Sequence, residues 1–278
     1  MRKEGYCAFG AKWLTQKVQH LHDAMAQLDP NCLQAVEGVL GHAHALQTGL
    51  TLFRACYPKR RVALWKRRLR RVLRALHALR DTLRLIQWAE QLAPPREHQL
   101  GVQRAVLRLR QTADAEARTL QRAWARWIRD RVPNEIAGLS RRWVESFSDE
   151  PPDPAYAQQQ WHSFYREQLP ALHAADSQSL EVRCGRLRAL LEGAELLPPL
   201  LPITLEPPIA DTYATLETQR FQRWAVGTLQ SLIEAERART LAYAGHLRGF
   251  ARLQRGMEWL LTQLSLAGSP PRERESCP

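Results

Sequence analysis

The feature that most constrains this fold is a long, strongly basic helix predicted between residues 59 and 92. Apolar residues recur there at alternating spacings of three and four, the repeat of a helix that buries one face against its neighbours. A row of basic residues runs along the other side, shifted from the apolar stripe by about 200°. The stripe consists of Val62, Trp65, Leu69, Val72, Leu76, Leu79, Leu83 and Ile86.

The basic row carries more like charge than a solvated surface needs. Of the sixteen residues from Lys59 to Arg74, nine are Lys or Arg and none is acidic. Like charges one turn apart destabilise a helix by about 0.2–0.5 kcal/mol per pair, and a bound polyanion relieves that repulsion. Arginine outnumbers lysine seven to two in this window, and its planar guanidinium suits bidentate phosphate contacts. We interpret the row as an anion-binding face, with a merely solvated face as the alternative.

The composition favours an all-α protein with a real core. The chain has 278 residues, 45% of them hydrophobic, and only 14 glycines, while no segment alternates as a half-buried strand does. The formal net charge is +12. Between Arg54 and Leu92, twelve Lys or Arg residues face only two acidic residues, Asp81 and Glu90. Such a local excess attracts an anionic partner.

Proline clusters divide the chain, because proline inside a helix removes a hydrogen bond and clashes with the preceding turn. The acidic, proline-bearing stretch 148–154 is the predicted linker between a first helical half (1–147) and a second (155–268). The tail 269–278 is polar and proline-rich, which is typical of disorder. We predict helices near 11–28, 31–56, 59–92 and 97–131, a short one after Pro133, and further helices near 155–168, 176–197, 209–232 and 235–266.

The cysteines and the N-terminal segment indicate a reducing compartment. The five cysteines are scattered and form no CxxC pair, so neither a zinc knuckle nor a redox motif is indicated. No apolar run is long enough to cross a bilayer, and the first residues lack the apolar segment of a secretory signal. We therefore expect a soluble cytoplasmic protein with reduced thiols at Cys7, Cys32, Cys56, Cys184 and Cys277.

Metal and enzyme sites find little support. His42 and His44 are two residues apart, as are His20 and His22, so each pair points in nearly opposite directions on a helix. We interpret them as surface or capping histidines and predict no metal and no cofactor. A glycine-rich phosphate loop, a nucleophile elbow and a zinc-protease motif are all missing. We accordingly predict a protein that is not an enzyme.

The second half carries further arginines, on three predicted helices. Glutamates are interleaved among them, so each taken singly is interpreted as an ordinary surface residue. They form a site only if they converge with the basic row of the first half in one concave cleft. They are Arg183, Arg186, Arg188, Arg220, Arg223, Arg237, Arg239, Arg248, Arg252 and Arg255.

Two segments resemble the CHAD domain, the conserved histidine α-helical domain. The run from Trp65 to Leu83 is similar to the second helix of that family, where a basic, leucine-spaced segment ends in an Arg-Asp pair like Arg80-Asp81. Arg186-Leu187-Arg188 after Val182 resembles the family's repeated arginine-leucine-arginine helix. The chain is identified as a divergent member.

The resemblance implies both a fold and a ligand. The fold is two antiparallel helical bundles related by pseudo-symmetry about a basic cleft, and the ligand is inorganic polyphosphate, bound without catalysis. Glu37 and Gln178 stand where the family has its histidines. Non-specific nucleic-acid binding and a protein-interaction scaffold that kept the fold are the alternatives. The predicted ligand-binding residues are Lys66, Arg67, Arg70, Arg71, Arg74, Arg80, Arg186 and Arg188.

Overall fold

A computed structural model of the chain confirms the all-α fold class. It describes residues 3–170, 180–203, 205, 208–244 and 249–266, and none of these residues is in a strand. The described helices are α1 (Glu4–Ala26), α2 (Leu33–Leu52), α3 (Lys59–Gln91), α4 (Arg96–Arg129), α5 (Val132–Phe147), α6 (Pro154–Gln168), α7 (Leu180–Leu196), α8 (Pro208–Ala244) and α9 (Phe250–Leu266), and a 3-10 turn (Phe53–Cys56) joins α2 to α3.

The helix α3 is the basic helix of the sequence, and its apolar stripe is buried as predicted. All eight stripe residues are at most 8% exposed. The helix α2 packs along one flank of α3, where Lys66 Nζ donates to Thr51 Oγ1 at 2.9 Å. The helix α4 packs along the other flank, where Arg68 Nε lies 2.5 Å from an Asp130 carboxylate oxygen. The basic row is therefore confined to the remaining, outward face of α3.

Six helices close into a ring around a continuous core. Each of α2, α3, α4, α9, α8 and α7 packs on the next, and α7 returns to α2. The close contact of α4 with α9 depends on Gly101, since a β-carbon there would lie 2.3 Å from the Leu253 carbonyl oxygen. The buried hydrophobic cluster includes Trp65 and Phe221, from opposite sides of the linker. Division into two pseudo-symmetric halves stays a prediction.

Most predicted helix boundaries lie close to the observed ones, but two predictions are wrong. The helix α1 begins at Glu4 and not near residue 11. The helix α6 begins at Pro154 after Asp153, whose carboxylate accepts from the backbone N–H groups of Ala155 and Tyr156. The break predicted between 232 and 235 is wrong, because α8 continues to Ala244. Residues 232–244 contain neither proline nor glycine, and Glu236 among them is paired with arginines of α4. The predicted tail 269–278 lies outside the described residues.

The expectation of reduced thiols is wrong for Cys7, Cys32 and Cys56, which are disulfide-bonded. Cys7 of α1 and Cys56 of the 3-10 turn form a disulfide with their Cα atoms 5.4 Å apart, across 49 residues of sequence. Scattered spacing carries no information about such proximity, which is a product of the fold. Cys184 is a free, buried thiol. Within the described ranges, no helix combines the length and the apolar character needed to cross a membrane.

The disulfide makes a prediction about stability. Closing a loop of 49 residues lowers the entropy of the unfolded chain enough to stabilise the fold by about 4 kcal/mol. Replacing Cys7 and Cys56 together by serine should lower the free energy of unfolding in urea by about that amount. Cys184→Ser is the matched control for a single buried thiol. Alkylation of Cys7 and Cys56 in the unreduced native protein would contradict the bond.

Candidate functional site

Four exposed arginines of α3 form what we call the basic track: Arg60, Arg67, Arg70 and Arg74. They project from the outward face over about 21 Å of helix. Among the residues that the structure describes, none of the four is in an ion pair with a carboxylate. The Nε groups of Arg70 and Arg74 donate instead to carbonyl oxygens one turn earlier, at 3.3 and 3.4 Å. Their positive charge is therefore available to a ligand.

Two further predicted site residues flank the track. Burial lowers the pKa of Lys66, and the neighbouring charges of Arg54 and Arg70 lower it further. The pKa of Arg71 is lowered by loss of solvent and then by the charges of Arg68 and Arg126. In both residues desolvation is the larger cause of the lowered pKa, and the neighbouring positive charges add to it.

The track ends at a concave site, which we call the cleft, of about 390 Å³. Arg74 of α3 and Arg188 of α7 both line it, so the structure brings together one predicted residue from each side of the linker. Arg186 is half-buried on α7 and is not part of the cleft lining. With neutral histidines the charges of the lining balance, because it contains three arginines (Arg74, Arg188, Arg220) and three carboxylates (Asp81, Glu181, Glu217).

An ion network behind the cleft holds α3 against α8. The Asp81 carboxylate accepts from Arg220 at 2.8 and 2.9 Å and from the adjacent Arg80 at 2.6 Å. Glu217 accepts from Arg220 Nε at 2.9 Å and lies 2.7 Å from Arg80 Nη2. Burial alone would raise the pKa of Glu217, but the hydrogen bond from Arg220 and the charge of Arg80 lower it to about 2.

Arg80, a predicted ligand-binding residue, therefore lies in the buried ion network and is not part of the exposed basic track. It is 5% exposed, and both of its carboxylate partners are inside the network. Its charge positions Asp81 and Glu217 at the back of the cleft. The interpretation of Arg220 as an ordinary surface residue is wrong, since its side chain is only 11% exposed and that of its partner Glu217 is only 15% exposed. The three-residue spacing of this pair on one helix was the available signal.

A pair of histidines spans the cleft wall between α2 and α3. The Nε2 atoms of His44 and His77 are 2.9 Å apart, so one ring donates and the other accepts through a neutral nitrogen. Burial and then the charge of Arg80 lower the pKa of His77 to about 4. Burial and then Arg188 bring the pKa of His44 well below its ordinary value. The interpretation of His44 as a surface or capping residue is therefore wrong.

The remaining polar groups of the cleft suit binding better than nucleophilic chemistry. Burial, then the charge of Glu217, raises the pKa of Cys184 to about 11, so its sulfur is a thiol and a weak nucleophile at neutral pH. The Tyr213 hydroxyl accepts from Arg188 Nη1 at 3.3 Å. In the described part of the chain, no group of three or more His, Cys, Asp or Glu residues could hold a metal ion.

Of the two positions aligned with the family's histidines, the structure describes Glu37, which does not line the cleft. Glu37 is half-buried on α2, and its charge acts on Arg84 of α3. Gln178 lies outside the described residues. Arg84 itself lies with its guanidinium carbon 4.4 Å from the centre of the Phe221 ring, a cation–π contact that joins α3 to α8.

No family model, no curated protein and no solved structure matches this chain.

The histidine pair makes a prediction about pH. The pKa of His77 falls from an ordinary value of 6.5 to about 4 on folding, so the neutral form is favoured and its stabilisation is complete above pH 6.5. Between pH 7 and pH 4 the fold should lose about 3 kcal/mol through this group. His77→Gln should remove that part of the pH dependence of the unfolding free energy. His162→Gln, at an exposed position, should leave that pH dependence unchanged. If the unfolding free energy of the His77 variant depended on pH as that of the wild type does, the lowered pKa of His77 would be refuted.

The ion network makes a second prediction. Asp81→Asn leaves two buried guanidinium groups with one carboxylate, Glu217, so the free energy of unfolding should fall by about 3 kcal/mol or more. Urea unfolding followed by circular dichroism measures the loss. Asp114→Asn removes an exposed acid from α4 and should change stability by less than about 0.5 kcal/mol. A similar small loss for both variants would show that the network contributes little.

Proposed function

We propose that this chain is a CHAD-like helical module that binds inorganic polyphosphate without catalysing a reaction on it. The observation that carries the proposal is the basic track. Its four arginines are exposed on one face of a helix whose other faces are packed, and none of them has a carboxylate partner within the described residues. Each guanidinium offers charge-assisted hydrogen bonds to phosphate oxygens.

An extended phosphate polymer suits the shape of the track better than a compact anion. The charges follow one another over about 21 Å, and a flexible chain with one charge per phosphate can follow them. Arg67, Arg70 and Arg74 would make the direct contacts, while Lys66 and Arg71 add charge from the flanks. At the cleft, Arg188 would reach the polymer from α7, and Arg186 would extend the positive surface there.

Non-specific binding of single-stranded nucleic acid is the second candidate, because an open track is also accessible to a phosphodiester backbone. The tryptophans of α3 argue against it. Trp65 and Trp88 are 0% and 4% exposed, so neither can stack on a base as single-strand binders require. A protein-interaction scaffold would use the same face for an acidic partner protein. Binding of a phosphate polymer would distinguish the proposed function from the scaffold.

The proposal predicts a measurable preference for polyphosphate. Calorimetric titration of the full chain with long-chain polyphosphate and with single-stranded DNA, at two salt concentrations, should give tighter binding of polyphosphate. Replacing Arg67, Arg70 and Arg74 together by glutamine should weaken polyphosphate binding at least about tenfold. The slope of log affinity against log salt should fall by about two, by analogy with single-stranded nucleic acid.

The matched control removes the same charge from elsewhere on the surface. Arg142, Arg252 and Arg255 are exposed on α5 and α9, and their joint replacement by glutamine keeps the net charge equal to that of the track variant. The affinity of this control for polyphosphate should lie within about threefold of the wild-type affinity. Equal losses of polyphosphate affinity in the two triple variants would show that the effect comes from net charge alone. DNA binding as tight as polyphosphate binding would overturn the proposal.

A further inference from the structure

A second concave surface, distinct from the track, lies between α4 and α8. We call it the groove. It has a volume of about 750 Å³, within the range of small-molecule sites in proteins. Three arginines line it, Arg108 of α4 and Arg223 and Arg239 of α8, and no carboxylate is among its lining residues in the described chain. The cleft, by contrast, balances its arginines with an equal number of carboxylates.

A buried glutamate, Glu236, holds two of the three groove arginines in place, Arg108 and Arg239, together with Arg104 of α4. Glu236 is 1% exposed, and its carboxylate accepts from Arg104 at 2.8 Å, from Arg108 at 2.5 Å and from Arg239. Arg108 is oriented a second time by its Nη1, which donates to Gln111 Oε1 at 2.7 Å. The guanidinium group of Arg108, held from two sides, loses little further freedom when it binds a ligand.

The charge of this cluster exceeds what the contact between the helices needs. One carboxylate offsets one of three guanidinium groups, which leaves two positive charges around Glu236. Arg223 adds a third at an exposed position on the same groove. One arginine would suffice to satisfy Glu236 and join α4 to α8. The additional like charges repel one another unless an anion binds between them.

We infer that the groove is a binding site for a compact anion carrying two or more phosphate groups, such as a triphosphate. Arg108, Arg223 and Arg239 contact its oxygens. The hydroxyl groups of Thr112, Thr228 and Ser231 line the same surface and are further donors. The half-buried ring of Trp224 lines one wall and offers an apolar surface for a nucleoside. The site shares no arginine with the track, so it does not rest on the proposed function.

Calorimetric titration of the full chain with inorganic triphosphate and with ATP tests the inference. The wild type should bind inorganic triphosphate with a dissociation constant below about 1 mM at low salt. Arg223→Gln, at an exposed position that should not affect folding, should weaken binding about tenfold, and Arg108→Gln with Arg223→Gln by more. Equal affinities for inorganic triphosphate and ATP would show that the groove recognises the phosphate groups alone. Tighter binding of ATP would show that it also contacts the nucleoside. Either outcome supports the groove as an anion-binding site.

Glu236→Gln separates positioning from net charge. Because it removes a negative charge, a purely electrostatic effect would tighten the binding of triphosphate. If Glu236 positions the arginines, binding should instead weaken about tenfold while circular dichroism shows an unchanged helix content. Should this variant fail to fold, the Arg223→Gln titration decides alone.

The track variant with Arg67, Arg70 and Arg74 replaced by glutamine is the control. It should keep its affinity for triphosphate within about threefold, whereas the groove variants should keep their affinity for long-chain polyphosphate. Absence of triphosphate binding to the wild type, or unchanged binding in Arg223→Gln, would overturn the groove. Absence of long-chain polyphosphate binding to the wild type, with triphosphate binding intact, would overturn only the proposed function.

Discussion

The carboxylate of Asp81 accepts from two guanidinium groups, and through Arg220 it ties the long helix α3 to α8. The other flanks of α3 are occupied by α2 and α4, so this network determines how much of the outward face α8 covers. Where α8 crosses, the charges of α3 are paired and buried. From Arg60 to Arg74 the face is open and its arginines are unpaired in the described structure. Asp81 therefore marks the division between a balanced cleft and a basic track.

This division explains why one helix can have two electrostatic characters. A buried charge must be paired, because the loss of solvent costs several kcal/mol per ion, whereas an exposed arginine is stabilised by water and needs no partner. The groove is an intermediate case, in which a single buried glutamate orders three arginines and leaves an excess of positive charge at the surface. The two anions that we propose as ligands, one extended and one compact, are thus assigned to different surfaces of the same molecule.

Several elements could be predicted from sequence because their signals are local. The span of α3 and its buried stripe follow from helical periodicity, and the break between α5 and α6 follows from proline. The end of α8 was missed because it depends on packing: Glu236 is buried against Arg104 and Arg108, about 130 residues earlier in the chain. The pairing of Cys7 with Cys56 and of His44 with His77 depends equally on long-range contacts.

By itself, the sequence determined the all-α class, the place of α3 and the outward row of arginines, because each is a repeat along one helix. The tertiary structure alone decided which arginines stay available. Arg80 lies in the buried network, Arg74 reaches the cleft, and Arg67 stays exposed, although all three have the same chemistry and lie on the same helix. The sequence determines how many charged side chains the protein has. Burial and the distance to the nearest carboxylate determine which of those side chains can contact a ligand.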